Sequence, residues 1–319
     1  MTVNVYCPEG LLATTQENKE ALASSAGIER ARVAGQILEA PVLLCDSDLC
    51  LHVDLGCMRG LIPREEAVWC RPSESIKDIA VLTRVGKNVC FKVTGYTQEG
   101  GERVALLSRR EAQQECAMHF LQELRPGDII RARVTHLENY GAFVDIGCGI
   151  SSLLSIDCIS VSRIAHPRDR LTCGMLLYVA VKSVDRTLQR VFVTLKELLG
   201  TWEENAARFK AGETVMGRVR SIESYGIFVE LAPNLAGLAE LRGNVGTPVR
   251  TAVGDLAAIY IKSILPERMK VKLVIIDSYP APEPPELPRY YIDTEKTKHL
   301  DYWEYSPRCC PRLIETVFA

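Results

Sequence analysis

The sequence predicts an all-β protein, a tandem array of small β-barrels joined by short helices, and three observations carry that reading. Residues 140–144, Tyr-Gly-Ala-Phe-Val, return as Tyr-Gly-Ile-Phe-Val at residues 225–229, an offset of 85. The same offset relates Gly127-Asp128 to Gly212-Glu213 and Arg133 to Arg218. The fold unit is therefore about 75 residues long and used more than once. Inside each copy apolar residues alternate with others, the period of a strand with one buried face.

A chain of 319 residues has room for roughly two to four such units. Residues 1–26 show little pattern and are expected to be flexible. A looser first unit spans residues 28–108. There Leu51-His-Val-Asp-Leu-Gly56 aligns with residues 142–147 at an offset of 91, and Gly60-Leu-Ile-Pro63 stands where the third unit has Gly237-Leu-Ala-Glu240. Leu49 falls opposite Tyr140 and His52 opposite Phe143, so this unit has the fold signal without the rings.

A helical linker, residues 109–125, opens on the capping box Ser108-Arg-Arg-Glu111. Ala112, Cys116, Phe120 and Leu124 follow at helical spacing, and Pro126-Gly127 ends it. The second unit is residues 126–197. Thr201-Trp-Glu-Glu204 opens the next linker helix, residues 198–211, expected to run through Phe209 until Gly212 stops it. The third unit is residues 212–277. Residues 278–319 begin as a Pro-rich connector, Pro280 to Pro288, and then carry Tyr290, Tyr291, Tyr302, Trp303 and Tyr305. That stretch is too aromatic for a disordered tail and is expected to fold back on a unit or bind a partner.

Composition narrows the function classes. With 47% hydrophobic and 24% charged residues and a net charge of −2, the chain is no strongly basic, nonspecific duplex binder. No apolar run approaches the roughly 18 residues of a membrane helix, and no basic-then-apolar signal opens the chain, so a cytoplasmic protein is expected. Twelve Cys without a CxxC pair point to reduced thiols, and Cys309-Cys310 to a reduced tail. Cys45, Cys50, His52 and Cys57 are the nearest thing to a metal set, but their spacing matches no common zinc pattern. Neither a metal nor a cofactor is expected.

Alternation then picks out the candidate site. Ala142, Val144 and Ile146 share one strand face, Phe143 and Asp145 the other; the second copy sets Ile227, Val229 and Leu231 against Phe228 and Glu230. A Phe sharing its face with a carboxylate in both copies is expected on the solvent side. Gly141 and Gly226 allow a bend or bulge that brings Tyr140 and Tyr225 beside the Phe rings. Cations accompany them: Arg133 and Arg218 on the preceding strand, Lys182 and Lys262 on a later one, Arg190, Lys270 and Lys272 on the last. Exposed rings among cations form a stacking platform for single-stranded nucleic acid, worth roughly 1–3 kcal/mol per stacked base. The competing reading has the rings filling a barrel mouth and the charges solvating it.

Gly127, Tyr140-Gly-Ala-Phe-Val-Asp-Ile-Gly147 and the closing Val184-Asp185 and Arg190-Val-Phe-Val-Thr194 resemble the S1-type RNA-binding domain, a five-stranded OB-fold barrel. Over about residues 28–277 the chain resembles a short, Firmicutes-like member of the bacterial ribosomal protein S1 family. The resemblance implies RNA contact by two aromatics, a His, an Asp and an Arg. They match Tyr140, Phe143, Asp185 and Arg190 in the second unit and Tyr225, Phe228 and Lys270 in the third. The His position holds Ser155 and Glu240 instead, and Glu240 would repel phosphate. The second unit is thus expected to be the main reader, the third a weaker one and the first a dock. The partners implied are single-stranded RNA, mRNA in particular, and the small (30S) ribosomal subunit, with no membrane and no small-molecule substrate. The sequence contains no GxxxxGK, HExxH or GxSxG and leaves no segment for a catalytic core, so no enzyme is expected. A free RNA-binding regulator and a protein-interaction scaffold are the alternatives.

Overall fold

The structure, a computed structural model, describes residues 5–70, 75–240, 251–280 and 286–318. Two helices come first. In α1 (Gln16–Leu22) the Thr15 hydroxyl caps the N-terminus by accepting from the Asn18 N–H; α2 (Ser25–Ala34) is capped by Ser24 and stopped by Gly35 at φ 62°. The described part of the segment expected to be flexible is therefore ordered. The reason is Glu9, a buried carboxylate that Arg109 grips at 2.7 and 3.0 Å. Glu9 also accepts from Cys90 N–H, while its own N–H donates to Asp145. An ion pair this buried holds only if its chain segment stays in place.

The first barrel consists of β1 (Leu38–Cys45), β2 (Leu51–Asp54), β3 (Arg59–Ile62), β4 (Asn88–Glu99) and β5 (Glu102–Ser108), with the short helix α3 (Asp78–Leu82) between β3 and β4. It closes in the order β1-β2-β3-β5-β4, with β3 and β5 parallel and the other pairs antiparallel. Helix α4 (Arg109–Glu123) follows, with the Ser108 hydroxyl accepting from Glu111 N–H.

The second barrel has β6 (Ile129–Glu138), β7 (Gly141–Asp145), β8 (Ser151–Ser155), β9 (Leu176–Asp185) and β10 (Arg190–Thr194). After it comes α5 (Trp202–Ala206), which has the Thr201–Glu204 capping box but ends before Phe209, in a turn where Phe209 N–H donates to Ala206. The third barrel has β11 (Thr214–Glu223), β12 (Gly226–Ala232), β13 (Leu235–Ala239), β14 (Leu256–Leu265) and β15 (Lys270–Tyr279). Both barrels repeat the strand order of the first, so all three share the five-stranded OB-fold topology. Gly127 and Gly212 open them at φ 93° and 92°, each donating its N–H to the equivalent β9 or β14 carbonyl, Val181 or Ile261.

Each barrel fills its own interior: Leu51, Phe91 and Leu107 in the first, Val144, Leu154 and Val179 in the second, Val229, Ile259 and Leu273 in the third. Ala142, Val144 and Ile146 point inward as the alternation requires. In the third barrel a bulge between Glu230 and Ala232 breaks the pattern, leaving Leu231 half-buried and Ala232 buried.

The aromatic tail folds back over the second and third barrels. Ile129 N–H donates to Lys298 and Leu300 N–H to Gly127, so the tail runs beside the start of β6. Tyr290 stacks edge-on to Tyr178, and Phe318 packs with Ile129, Ala180 and Leu198. The hairpin of β16 (Tyr302–Glu304) and β17 (Glu315–Val317) carries Trp303 to the third barrel, where the nearby Tyr305 donates its hydroxyl to the Asn234 carbonyl. Among the described residues no helix is long and apolar enough to cross a membrane.

Candidate nucleic-acid interface

The site begins with strand register. Across the second barrel His136, Phe143, Leu153, Phe192 and Ser183 stand opposite one another on successive strands, forming one row on the outer face. Tyr140, just before β7, is 55% exposed and meets half-buried Phe143 edge-to-face, centroids 6.2 Å apart at 90°. The third barrel repeats this with Tyr225, 66% exposed, and Phe228 at 6.1 Å and 88°. Its row reads Ser221, Phe228, Leu238, Lys272 and Ser263. The first barrel's row is Leu44, His52, Leu61, Leu106 and Gly95, without a ring pair. The edge-to-face geometry is a preferred aromatic contact, and it leaves the Tyr faces open.

Gly141 and Gly226 permit these pairs for a reason other than the expected bend. Neither is at positive φ. A side chain at Gly141 would meet the Leu154 carbonyl of the next strand, and at Gly226 the Ala239 carbonyl. Close strand approach demands the glycines.

The cations divide into two groups. Arg190 stands opposite Asp185 and two residues before Phe192, hence on the ring face. Lys270 and Lys272 occupy the corresponding positions of β15, both exposed. Lys182 and Lys262 are exposed next to the β9 and β14 irregularities, and Lys182 lies 3.2 Å from the Cys158 sulfur, which pushes its pKa up against partial burial. Ser155, opposite Gly141, hydrogen-bonds Asp157 and lowers that carboxyl below the usual range, more than burial raises it. Glu240 is exposed just past β13.

Arg133 and Arg218 are not with the rings. Arg133 sits three residues from His136 along β6, about 10 Å at strand spacing. It donates to the Gly174 carbonyl and lies against Gly10, at the junction with the first barrel. Arg218 donates to Gly254 and lines the cleft beside Arg170 and Glu230, at the junction with the second.

The carboxylates that share the Phe face are not solvent-exposed either. Asp145 is 3% and Glu230 7% exposed. Asp145 accepts from the N–H groups of Glu9, Gly147 and Gly149, and Glu230 is forked by Arg170 and Arg220. The outer face of each strand is covered at this end by the preceding module. His52 pairs with Asp46 at 2.9 Å, and among the described residues no group of three His, Cys, Asp or Glu gathers as a metal site.

Phe192 and Leu153 bridge Phe143 to Arg190 on β10 and are residues that the sequence reading does not single out. The alternation Arg190-Val191-Phe192-Val193 held the signal: Val191 and Val193 are buried, which turns Phe192 outward.

Residues 123–196 match the S1 RNA-binding domain family, and the five-strand topology of that barrel is repeated in the other two. Among curated proteins it is similar to small ribosomal subunit protein bS1 of Staphylococcus haemolyticus, 29% identical over 72% of this chain and 59% of that protein. The bS1 homolog of Bacillus subtilis is 30% identical over 81% of this chain and 64% of its own length. The chain thus spans about three fifths of the length of these relatives. A solved structure, that of GSP13 from Bacillus subtilis, aligns at 23% identity over 23% of this chain and 57% of its own, with a TM-score of 0.22, too low to add to the barrel topology.

Proposed function

We propose that the chain binds single-stranded RNA, mRNA in particular, on the outer faces of its second and third barrels, and acts in translation at the small ribosomal subunit. The single observation that carries this reading is the repetition of an exposed Tyr edge-on to a Phe at matching positions of two barrels. Rings kept in the same place twice, beside Arg190, Lys270 and Lys272, fit stacked bases and their phosphates. Phe143, Tyr140 and Phe192 would take bases, with Arg190, Asp185 and Lys182 around them. Tyr225 and Phe228, with Lys262, Lys270 and Lys272, would form the second, weaker patch. Arg133 and Arg218, at the junctions, would contribute only to an RNA that runs from one barrel to the next.

The ribosomal part of the proposal rests on the similarity to proteins named bS1, and a cytoplasmic place follows from it. The first barrel, lacking the rings, takes the docking role. The reading is of a binder rather than a catalyst, since among the described residues every element between β1 and β15 belongs to a barrel or its linkers. Fluorescence titration with short single-stranded RNAs tests the binding. Sedimentation with small subunits, for the whole chain and for a chain lacking residues 1–108, tests the docking. RNA binding without co-sedimentation would favour a free regulator, and no RNA binding would sink the proposal.

A further inference from the structure

Stacking on the rings leaves unused a cleft of about 570 Å³ between the first two barrels. Arg84, Lys87 and Asn88 line it from the first barrel, Arg133, Thr135 and Ser151 from the second. Its positive charge is incompletely answered. Lys87 is exposed, and among the described residues its ammonium has no partner. Arg133 donates to the Gly174 carbonyl at 3.2 Å, and its Nε is buried without a partner. The Arg84 Nε is likewise buried and unpartnered, with the nearest carboxylate, Glu9, 3.5 Å from its Nη1. Burial and the neighbouring Arg109 guanidinium push Arg84 below the ordinary arginine range. Two carboxylates line the cleft, but Arg109 grips Glu9, and Asp145 accepts from three backbone N–H groups. A cation withdrawn from water without a full counter-charge costs free energy that an incoming anion offsets.

The arginine travels with the rings. Gly174 N–H donates to the Val134 carbonyl, Gly254 N–H to Val219 and Gly86 N–H to Val42, which fixes the correspondence of the three barrels at this point. The residue before that valine is Arg133 in the second barrel, Arg218 in the third and Pro41 in the first, the barrel without a ring pair. The first barrel's turn forms without an arginine, so holding the turn does not account for one in the other two. The cleft also runs on into the ring row. An irregularity of β6 between Val134 and His136 leaves Thr135 and His136 both exposed. His136 stands opposite Phe143, and the Thr135 hydroxyl donates to the Phe143 carbonyl at 3.1 Å. Arg133, Thr135 and His136 thus lead along one strand from the cleft to the rings.

The geometry points to a phosphate-binding site in this cleft. A strand whose bases stack on Tyr140 and Phe143 continues along β6, and Arg133, Lys87 and Arg84 take the phosphates that follow. The inference rests on the stacking reading of the second barrel. It gives the first barrel, which has no rings, a direct part in holding RNA through Arg84 and Lys87. The contact is one of charge rather than of base identity, so it adds affinity for any sequence long enough to reach it.

The full chain is titrated over a range of salt concentrations with oligouridylates of about 4 and about 16 nucleotides, the limits of what one OB-fold engages. For the long RNA, Lys87→Gln should lower the slope of log affinity against log salt by about 0.7, and K87Q/R133Q by about 1.4. For the short RNA, held at the rings alone, neither variant should change the slope. In wild type, the long RNA should also protect Lys87 from acetylation, read by mass spectrometry, where the short one does not. Phe143→Ala separates the two ideas. If it weakens binding of both RNAs while the cleft variants leave both slopes unmoved and Lys87 stays reactive, the cleft proposal is overturned and the stacking platform stands. If wild type binds neither RNA, both fall. Should K87Q/R133Q fail to fold, the single Lys87 variant and the protection of wild-type Lys87 decide.

Discussion

Arg170, in the second barrel, donates two hydrogen bonds, at 2.5 and 2.6 Å, to the two carboxylate oxygens of Glu230 in the third. Arg220 adds a second fork to the same carboxylate from β11, at 2.8 and 3.3 Å. The site is nearly dry, and bidentate geometry is what lets a buried pair offset its desolvation. Removing one partner strands the other's charge, at a cost of about 3–5 kcal/mol. Arg170→Ala is therefore expected to lower the urea midpoint of the third barrel sharply, while leaving that of the first barrel in place. An unchanged denaturation profile would show the pair to be dispensable.

The same carboxylate gives a pH dependence. Burial opposes ionisation of Glu230, but Arg170 and Arg220 outweigh it and hold its pKa below the ordinary 4.5. A group depressed on folding contributes stability above its unfolded pKa, and that contribution is lost as pH falls through the native value. Glu230→Gln should thus melt below wild type at neutral pH, with the gap closing under acid conditions below the unfolded value. A gap that widened in acid would contradict the sign.

At the rings, Phe143→Ala should weaken single-stranded RNA binding by roughly 1–3 kcal/mol, and Phe228→Ala by less, because Glu240 adjoins the third barrel's patch and Lys272 stands where the second barrel has Phe192. Titrations against the same short RNA check both. Affinity unmoved by either change would remove the stacking platform.

Phe192 separates stacking from charge. Phe192→Lys gives the second barrel's row the composition of the third's except for His136 in place of Ser221, so affinity at low salt should fall modestly while its dependence on salt steepens by about one phosphate contact. Repeating the titration over a range of salt concentrations reads both effects. An unaltered affinity and salt slope would place Phe192 outside the bound strand.

Glu9 holds the N-terminal segment between the first two barrels through Arg109, which is 2% exposed. Glu9→Ala leaves that guanidinium buried without its carboxylate, so a loss of about 3–5 kcal/mol is expected in chemical denaturation. A chain equally stable without the carboxylate would mean the segment is only draped there.

Much of this was legible in the one-dimensional pattern. The period-two alternation around Phe143 and Phe228 specified which side chains face inward, and the Ser108 capping box marked a helix that the structure contains. The destinations of Arg133, Arg218, Asp145 and Glu230 were not legible. Alternation assigns a side chain to a face of its own strand, but it is silent on what another module lays over that face. Glu9 lay in a stretch without periodicity because one buried ion pair, rather than an amphipathic stripe, fixes it.

The sequence by itself determined three copies of one barrel, which copies carry rings, and the helices between them, because local periodicity and capping chemistry act over a few residues. Only the tertiary structure decided how the copies are joined: Glu9 to Arg109, Arg170 to Glu230, and the tail across β6. Those contacts link residues as far apart in sequence as Gly127 and Leu300, and burial lets a single ion pair or hydrogen bond fix a junction that no repeating pattern announces.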